Sequence, residues 1–241
     1  MAKKARPRKK TTKKVGWFKR QRQRIRLVVV RGLLGVSAVF LLAIAFYGLV
    51  DPPTTWTIYS ERERLGEVDF QWVDADDVAP VVFRSVVAAE DANFCDHWGF
   101  DMSAIRDAIA DGADRGASTL TQQTVKNVYL WQGRSWVRKA LEAVTTPFVE
   151  LIWTKRRILE VYVNVAEFDE GVFGVDAAAQ HYFGVLPSQL SAAQAARLAA
   201  ILPNPKQRSA SRPSNAVVRR AAQIIDGAAT IQKDGRAACF E

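Results

Sequence analysis

Four short stretches of the chain bring together side chains able to do chemistry. In EDANFCDHWG, Glu90, Asp91, Asp96 and His97 fall within eight residues, and Gly99 frees the backbone to turn. That composition suits a carboxylate held at a cleft mouth beside groups that orient it as a general base; a solvated helix end with His97 satisfied locally accounts for the same residues. In RGASTLTQQTVKN, Gly116 and Ser118-Thr119 suit a helix N-cap whose free N–H groups face an anion. Thr119, Gln122, Gln123 and Lys126 then share one helical face, a stripe of amides ending in a lysine. Such a stripe matches a sugar attached to a phosphate.

Arg138 and Glu142 of RKALE stand one turn apart, and so do Arg156 and Glu160, and Glu160 and Asn164, in KRRILEVYVN. Taken singly these pairs read as helix faces, and a surface salt bridge explains the first. Trp131, Trp136, Phe148 and Trp153 surround them, as core aromatics or as a surface that dips into a membrane interface.

Those residues need helices to hold them. Residues 81–90, 102–111, 118–130, 136–163, 172–181, 191–201 and 214–233 all space apolar residues by three and four. Strand signals are nearly absent apart from a short candidate at residues 55–59, so the soluble part is expected to be one all-α domain. A chain of 241 residues has room for one core of ordinary size.

Charge divides the chain. Residues 1–50 hold 14 of the 34 Lys and Arg and no acid, leaving 20 basic against 25 acidic residues beyond them, net −5. A domain of that sign has no overall attraction for a phosphate polymer, which removes nucleic acid as a general partner. Residues 32–50, GLLGVSAVFLLAIAFYGLV, are uncharged and long enough to span a bilayer, and LVVV at 27–30 extends them. The expected layout is a basic cytoplasmic tail at 1–26, a transmembrane helix at 27–50 and an external domain at 51–241. Lysines and arginines before the span keep the N-terminus inside. Cys95 and Cys239 are too few for a disulfide framework and fit no metal site; a bonded pair and two free thiols both remain open.

Taken in order, EDANFCDHWG, RGASTLTQQTVKN, RKALE, KRRILEVYVN with GVFGVDAAAQHYFG, and LSAAQAARLAAILPNP resemble the five motifs of the peptidoglycan glycosyltransferases, glycosyltransferase family 51. The chain is most similar to the monofunctional members, which lack a penicillin-binding domain. It departs from the family pattern at Val163 and at Phe168-Asp169-Glu170.

The resemblance implies a lysozyme-like, all-α glycosyltransferase domain in the periplasm behind one N-terminal transmembrane helix, with a jaw region at about 129–153 against the cytoplasmic (inner) membrane. It implies polymerisation of lipid II onto a growing β-1,4 glycan strand, with inversion and release of undecaprenyl pyrophosphate. Glu90 is then the general base and Glu142 the second carboxylate, orienting the pyrophosphate site. Lys126, Arg138 and Lys139 would neutralise the leaving charge, together with a divalent cation, Mg2+ or Mn2+, for which Asp91 is the candidate ligand. Ser118, Thr119, Gln122, Gln123 and Asn127 would line the sugar groove, with Lys155, Glu160, Tyr162 and Asn164 as its floor. Partners implied are the membrane and other cell-wall synthesis proteins. A lytic glycosidase of the same fold and a non-catalytic precursor-binding scaffold are the rival readings; the three cations argue against the first and the two glutamates against the second.

Overall fold

The computed structural model describes residues 12–112, 116, 118–133 and 135–241, with the backbone alone for 12–16 and 18. Residues 1–11 of the basic tail, and Arg115 and Ala117 of the second motif, lie outside the described residues. The chain divides into two compact units, one ending at Ile44 and the other covering Ala45–Glu241.

Helix α1 (Thr12–Tyr47) contains Lys19–Tyr47, a stretch long and apolar enough to cross a membrane. It ends three residues before the apolar run does: Leu49 and Val50 both donate to the carbonyl of Phe46, and Asp51-Pro52-Pro53 follows. Proline cannot supply the N–H that the next turn requires.

The second unit is built of α2 (Trp56–Leu65), α3 (Pro80–Glu90), α4 (Met102–Ala110), α5 (Leu120–Tyr129), α6 (Trp136–Ile152), α7 (Lys155–Val165), α8 (Gly174–Phe183), α9 (Ala192–Ile201) and α10 (Asn215–Lys233). Helices α3, α9 and α10 pack on one another, and α5 packs between α6 and α7. Their apolar stripes meet in a core that includes Val82, Val86, Ile158, Leu198 and Ile224, each no more than 2% exposed.

Three expectations change. Residues 55–59 form no strand: Thr55 is the N-cap of α2, its side chain accepting from the N–H of Ile58 at 3.3 Å. The expected helix over 136–163 is two helices, because Thr154 leaves the helix to cap α7 through the N–H of Arg157 at 3.1 Å. A small sheet also forms, β1 (Asp69–Phe70), β2 (Glu167–Asp169) and β3 (Val172–Phe173), ordered β1-β3-β2, with β1 parallel and β2 antiparallel to β3. It brings the chain after α7 back under that helix. Gly174 closes the approach with φ +84; a Cβ there would lie 2.8 Å from the carbonyl oxygen of Asn164.

Cys95 and Cys239 are bonded to each other, which decides the alternative the sequence left open. The aromatics of the α6 region also separate. Trp153 is 4% exposed and belongs to the core, whereas Trp136 is 91% exposed, and Val137, Leu141, Val144 and Leu151 continue its uncovered apolar face.

Candidate active site

Glu90 is the last helical residue of α3, and the loop after it is fastened to the start of α5. Asp91 does that fastening. One carboxylate oxygen meets His97 Nε2 at 2.8 Å and the other accepts the N–H of Leu120 at 2.9 Å. A negative group at the first turn of α5 satisfies an orphan amide and favours the helix dipole. Thr119 adds a second tie: it caps α5 in a capping box with Gln122 and donates its hydroxyl to the carbonyl of Gly99 at 2.7 Å. Gly99 has φ +83, and a Cβ there would stand 2.6 Å from Thr146 Cγ2, so this turn needs glycine.

With loop and helix joined, Gln123 on the first turn of α5 faces Glu90. Its Nε2 donates to Glu90 Oε2 at 2.9 Å, and its Oε1 accepts from the hydroxyl of Tyr162 at 3.2 Å. The amide is thereby oriented, with its donor end on the carboxylate. Burial pushes the Glu90 pKa up; the Gln123 hydrogen bond, Arg220 and Lys126 pull it down, and Asp91 adds to the rise. A half-buried carboxylate with a raised pKa is the usual condition of a base that must take a proton near neutral pH. Tyr162 is buried, and burial together with the Glu90 charge raises its pKa well above the ordinary value, so it serves as a neutral donor.

One turn further along α5, Lys126 stands in the field of both glutamates. Burial lowers its pKa, opposed by Glu142 and Glu90 and reinforced by Arg138 and Lys139. Among the described residues, no acid lies within ion-pair distance of its ammonium and no hydrogen bond holds it. Glu142 on α6 is 2% exposed and sits between Arg138 Nη1 at 2.8 Å and Lys139 Nζ, and Lys139 also donates to Ser118 Oγ at 2.9 Å.

Two cavities flank Gln123 and Glu90. The smaller, about 160 Å³, is lined by Gln123, Lys126, Asn127, Tyr162 and Glu167. The larger, about 410 Å³, is lined by Glu90, Asp91, Asn93, Asp101, Ser118 and Thr119. Both walls expose more polar than apolar surface, which suits a hydroxyl-rich ligand.

A sequence model of the family described as Transglycosylase matches residues 59–229, which hold every residue of this site. The chain belongs to the transglycosylase family. It is 59% identical over 240 residues to the biosynthetic peptidoglycan transglycosylase of Jannaschia sp. (strain CCS1), covering 100% of this chain and 99% of that one. To the proteins of the same name from Yersinia pseudotuberculosis serotype O:1b (strain IP 31758) and Yersinia pestis (strain Pestoides F) it is 46% identical over 209 residues, 81% of this chain and 86% of each relative. As a transglycosylase it is a glycosyltransferase.

Four of the residues expected to touch sugar are turned to structural work in this transglycosylase. Gln122, 4% exposed, closes the capping box of α5. Lys155 donates to the carbonyl of His97 at 2.8 Å and to Glu150 at 2.9 Å, with its ammonium over the ring of Phe94 at 4.4 Å. Glu160 accepts the N–H of Ala75 at 2.9 Å and pairs with Arg157 at 2.7 Å. Asn164, fully buried, exchanges two hydrogen bonds with the backbone of Val73, each 2.9 Å. These last three side chains are engaged by protein partners, whereas Tyr162, also expected in the floor, lines the smaller cavity.

Asp91 and Glu142 also have other duties than metal binding. Each carboxylate spends both oxygens on protein partners, and among the described residues no group of three His, Cys, Asp or Glu is arranged to hold a metal ion. Among the described residues, then, the side chains do not fit a divalent cation held by the protein alone. Sequence reading missed Arg220 of α10, which donates to the carbonyl of Ala89 at 2.8 Å beside Glu90, and Glu167, which borders the smaller cavity and pairs with Lys206 at 3.1 Å. Neither has a local signal, since both arrive by packing of distant segments.

Proposed function

We propose that this transglycosylase polymerises lipid II, the lipid-linked disaccharide precursor of peptidoglycan, into β-1,4 glycan strands. The observation that carries the reading is the half-buried Glu90 held by Gln123, whose amide Tyr162 orients, with Lys126 in its field lacking an ion partner among the described residues. Glu90 takes the proton from the 4-hydroxyl of the acceptor sugar as that oxygen bonds to the anomeric carbon of the donor. The bond from that carbon to the pyrophosphate oxygen breaks with its electron pair, undecaprenyl pyrophosphate departs, and configuration inverts. A pyrophosphate leaves without a proton donor but needs its growing charge met. Lys126 is available for that role, and Arg138 and Lys139, aligned on Glu142, form a second cationic group within its field. The smaller cavity, bordered by Gln123, and the larger, bordered by Glu90, are the places this reading gives to the two sugars, one donor and one acceptor. No step is assigned to a divalent cation; one that takes part would come with the pyrophosphate of the substrate.

Membrane attachment through α1 suits substrates that never leave the bilayer, and the uncovered apolar face of α6 suits contact with the same surface. The Cys95–Cys239 bond supports an oxidising location outside the cytoplasmic membrane, with the N-terminus inside. The growing strand, the membrane and other cell-wall synthesis proteins are the partners this reading implies.

The test is polymerisation of purified lipid II by the detergent-solubilised protein, with glycan chains resolved on a gel. Wild type is expected to make chains and Glu90→Gln to lose about 10³-fold in rate, the scale of a missing general base. A folded wild type that makes none, or a Glu90→Gln variant as fast as wild type, would overturn the assignment.

A further inference from the structure

Glu90 ends a helix, and residues 91–101 form neither helix nor strand, so ladder hydrogen bonds do not fix where its carboxylate points. The last carbonyls of a helix lack partners inside it. Here partners come from the far end of the chain. Arg220 of α10 donates to the carbonyl of Ala89 at 2.8 Å, and Arg236 donates to that of Ala92 at 3.0 Å, bracketing Glu90 and Asp91. Asp234 orients Arg236, accepting from its Nε at 2.9 Å. Three residues on, Cys239 is bonded to Cys95, and the buried rings of Phe240 and Phe94 lie 6.5 Å apart. Arg156 reaches the carbonyl of Phe240 at 3.2 Å, and Glu241 pairs with Arg84 at 2.5 Å.

Resting on the functional reading above, we infer that α10 and residues 234–241 form a clasp that positions Glu90 for proton abstraction, with the Cys95–Cys239 bond as its lock. The hydrogen bonds, ion pair, ring contact and disulfide by which the clasp reaches the catalytic side fall on the segment from Arg84 to Cys95 or on Arg156, and none of them on the groups at Glu142. A carboxylate displaced by about 1 Å forfeits on the order of 10²-fold in rate while substrate binding elsewhere is untouched. The clasp residues are positioning residues: they act through the backbone around Glu90. A disulfide that merely stabilised the fold would leave the rate of the folded enzyme unchanged when opened.

Reduction opens it without a mutation. A dithiol gives two electrons and two protons to the S–S bond, leaving two thiols on the protein and the dithiol as its own disulfide. Polymerisation is then followed on oxidised and reduced full-length protein in detergent, with the thiols counted by alkylation and mass and the helical content by circular dichroism. The expected result is a kcat at least about tenfold lower on reduction, KM for lipid II changed by less than about twofold, and helical content unchanged. Cys95→Ser with Cys239→Ser should be slow from the start and indifferent to dithiol. Should that pair fail to fold, Arg220→Gln and Arg220→Lys carry the same question. Loss of the guanidinium moves the acid limb of the kcat profile to higher pH, and lysine restores part of it. Unchanged kcat in protein whose thiols are confirmed, or a fall that only tracks lost helix, overturns the clasp. Oxidised wild type that polymerises nothing overturns the functional reading and removes the clasp's role with it.

Discussion

Glu90 and Glu142 are carboxylates of the same chemistry, both acting on the ammonium of Lys126, yet their surroundings are opposite. Glu90 receives one amide hydrogen bond and is burdened by burial; Glu142 is almost fully enclosed and bracketed by Arg138 and Lys139. In the proposed mechanism such neighbours give the two acids different work, Glu90 taking a proton and Glu142 aligning two cations. Enclosure alone therefore identifies nothing; the balance between burial and compensating charge does.

Replacement of each acid by its amide sharpens that contrast. Glu142→Gln leaves two cations without their buried partner and is expected to cost about 3 kcal/mol of stability, read as a lowered Tm. Glu90→Gln removes a carboxylate that burial already disfavours, so its Tm at neutral pH should equal or exceed that of wild type. The sign follows from linkage. Because the folded pKa of Glu90 lies above 4.5, its contribution to stability is present below that value and lost as pH rises through the folded pKa. The Tm difference between Glu90→Gln and wild type should therefore widen in the variant's favour from about pH 4 to pH 7. Equal melting shifts for the two amide variants would erase the comparison.

Lys126 comes next. Its ammonium carries a burial penalty without an ion partner, so Lys126→Met should keep or raise Tm while polymerisation falls about 10²-fold, as for loss of one preorganised charge. A variant that loses stability instead would mark Lys126 as structural. Gln123→Ala is the mildest: about tenfold slower, with the acid limb of the rate profile moved to higher pH because the hydrogen bond that favours ionised Glu90 is gone. An acid limb that stays put would deny Gln123 its hold on the base.

Much of this arrangement can be read from residue order. The end of α3 at Glu90, the cap at Thr119 and the amide stripe of α5 all follow from local spacing, and so does the all-helical character of the catalytic unit. Partners remote in sequence do not. Lys155, Glu160 and Asn164 present the same polar spacing whether they face a sugar or the backbone of His97, Ala75 and Val73, which lie 58, 85 and 91 positions away. The break at Thr154 was masked by apolar spacing that continues in phase through the cap, and strands of two or three residues are too short to show a period. The β-branched and aromatic residues at 55–59 suggested a strand, but the capping hydroxyl of Thr55 outweighed propensity. Two cysteines 144 residues apart carry no information on their pairing.

Glu90 is half-buried rather than sealed, and it lines the larger cavity. On the proposed mechanism Glu90 must be emptied of its proton between additions, since a carboxylic acid left over from one transfer cannot accept the next proton. Gln123 engages one of the two oxygens of Glu90, and Glu90 borders a cavity that solvent can enter when sugar is absent. The exposure that keeps this glutamate from being a stronger base is also its reset: the interval between arriving substrates is when the protein regenerates itself.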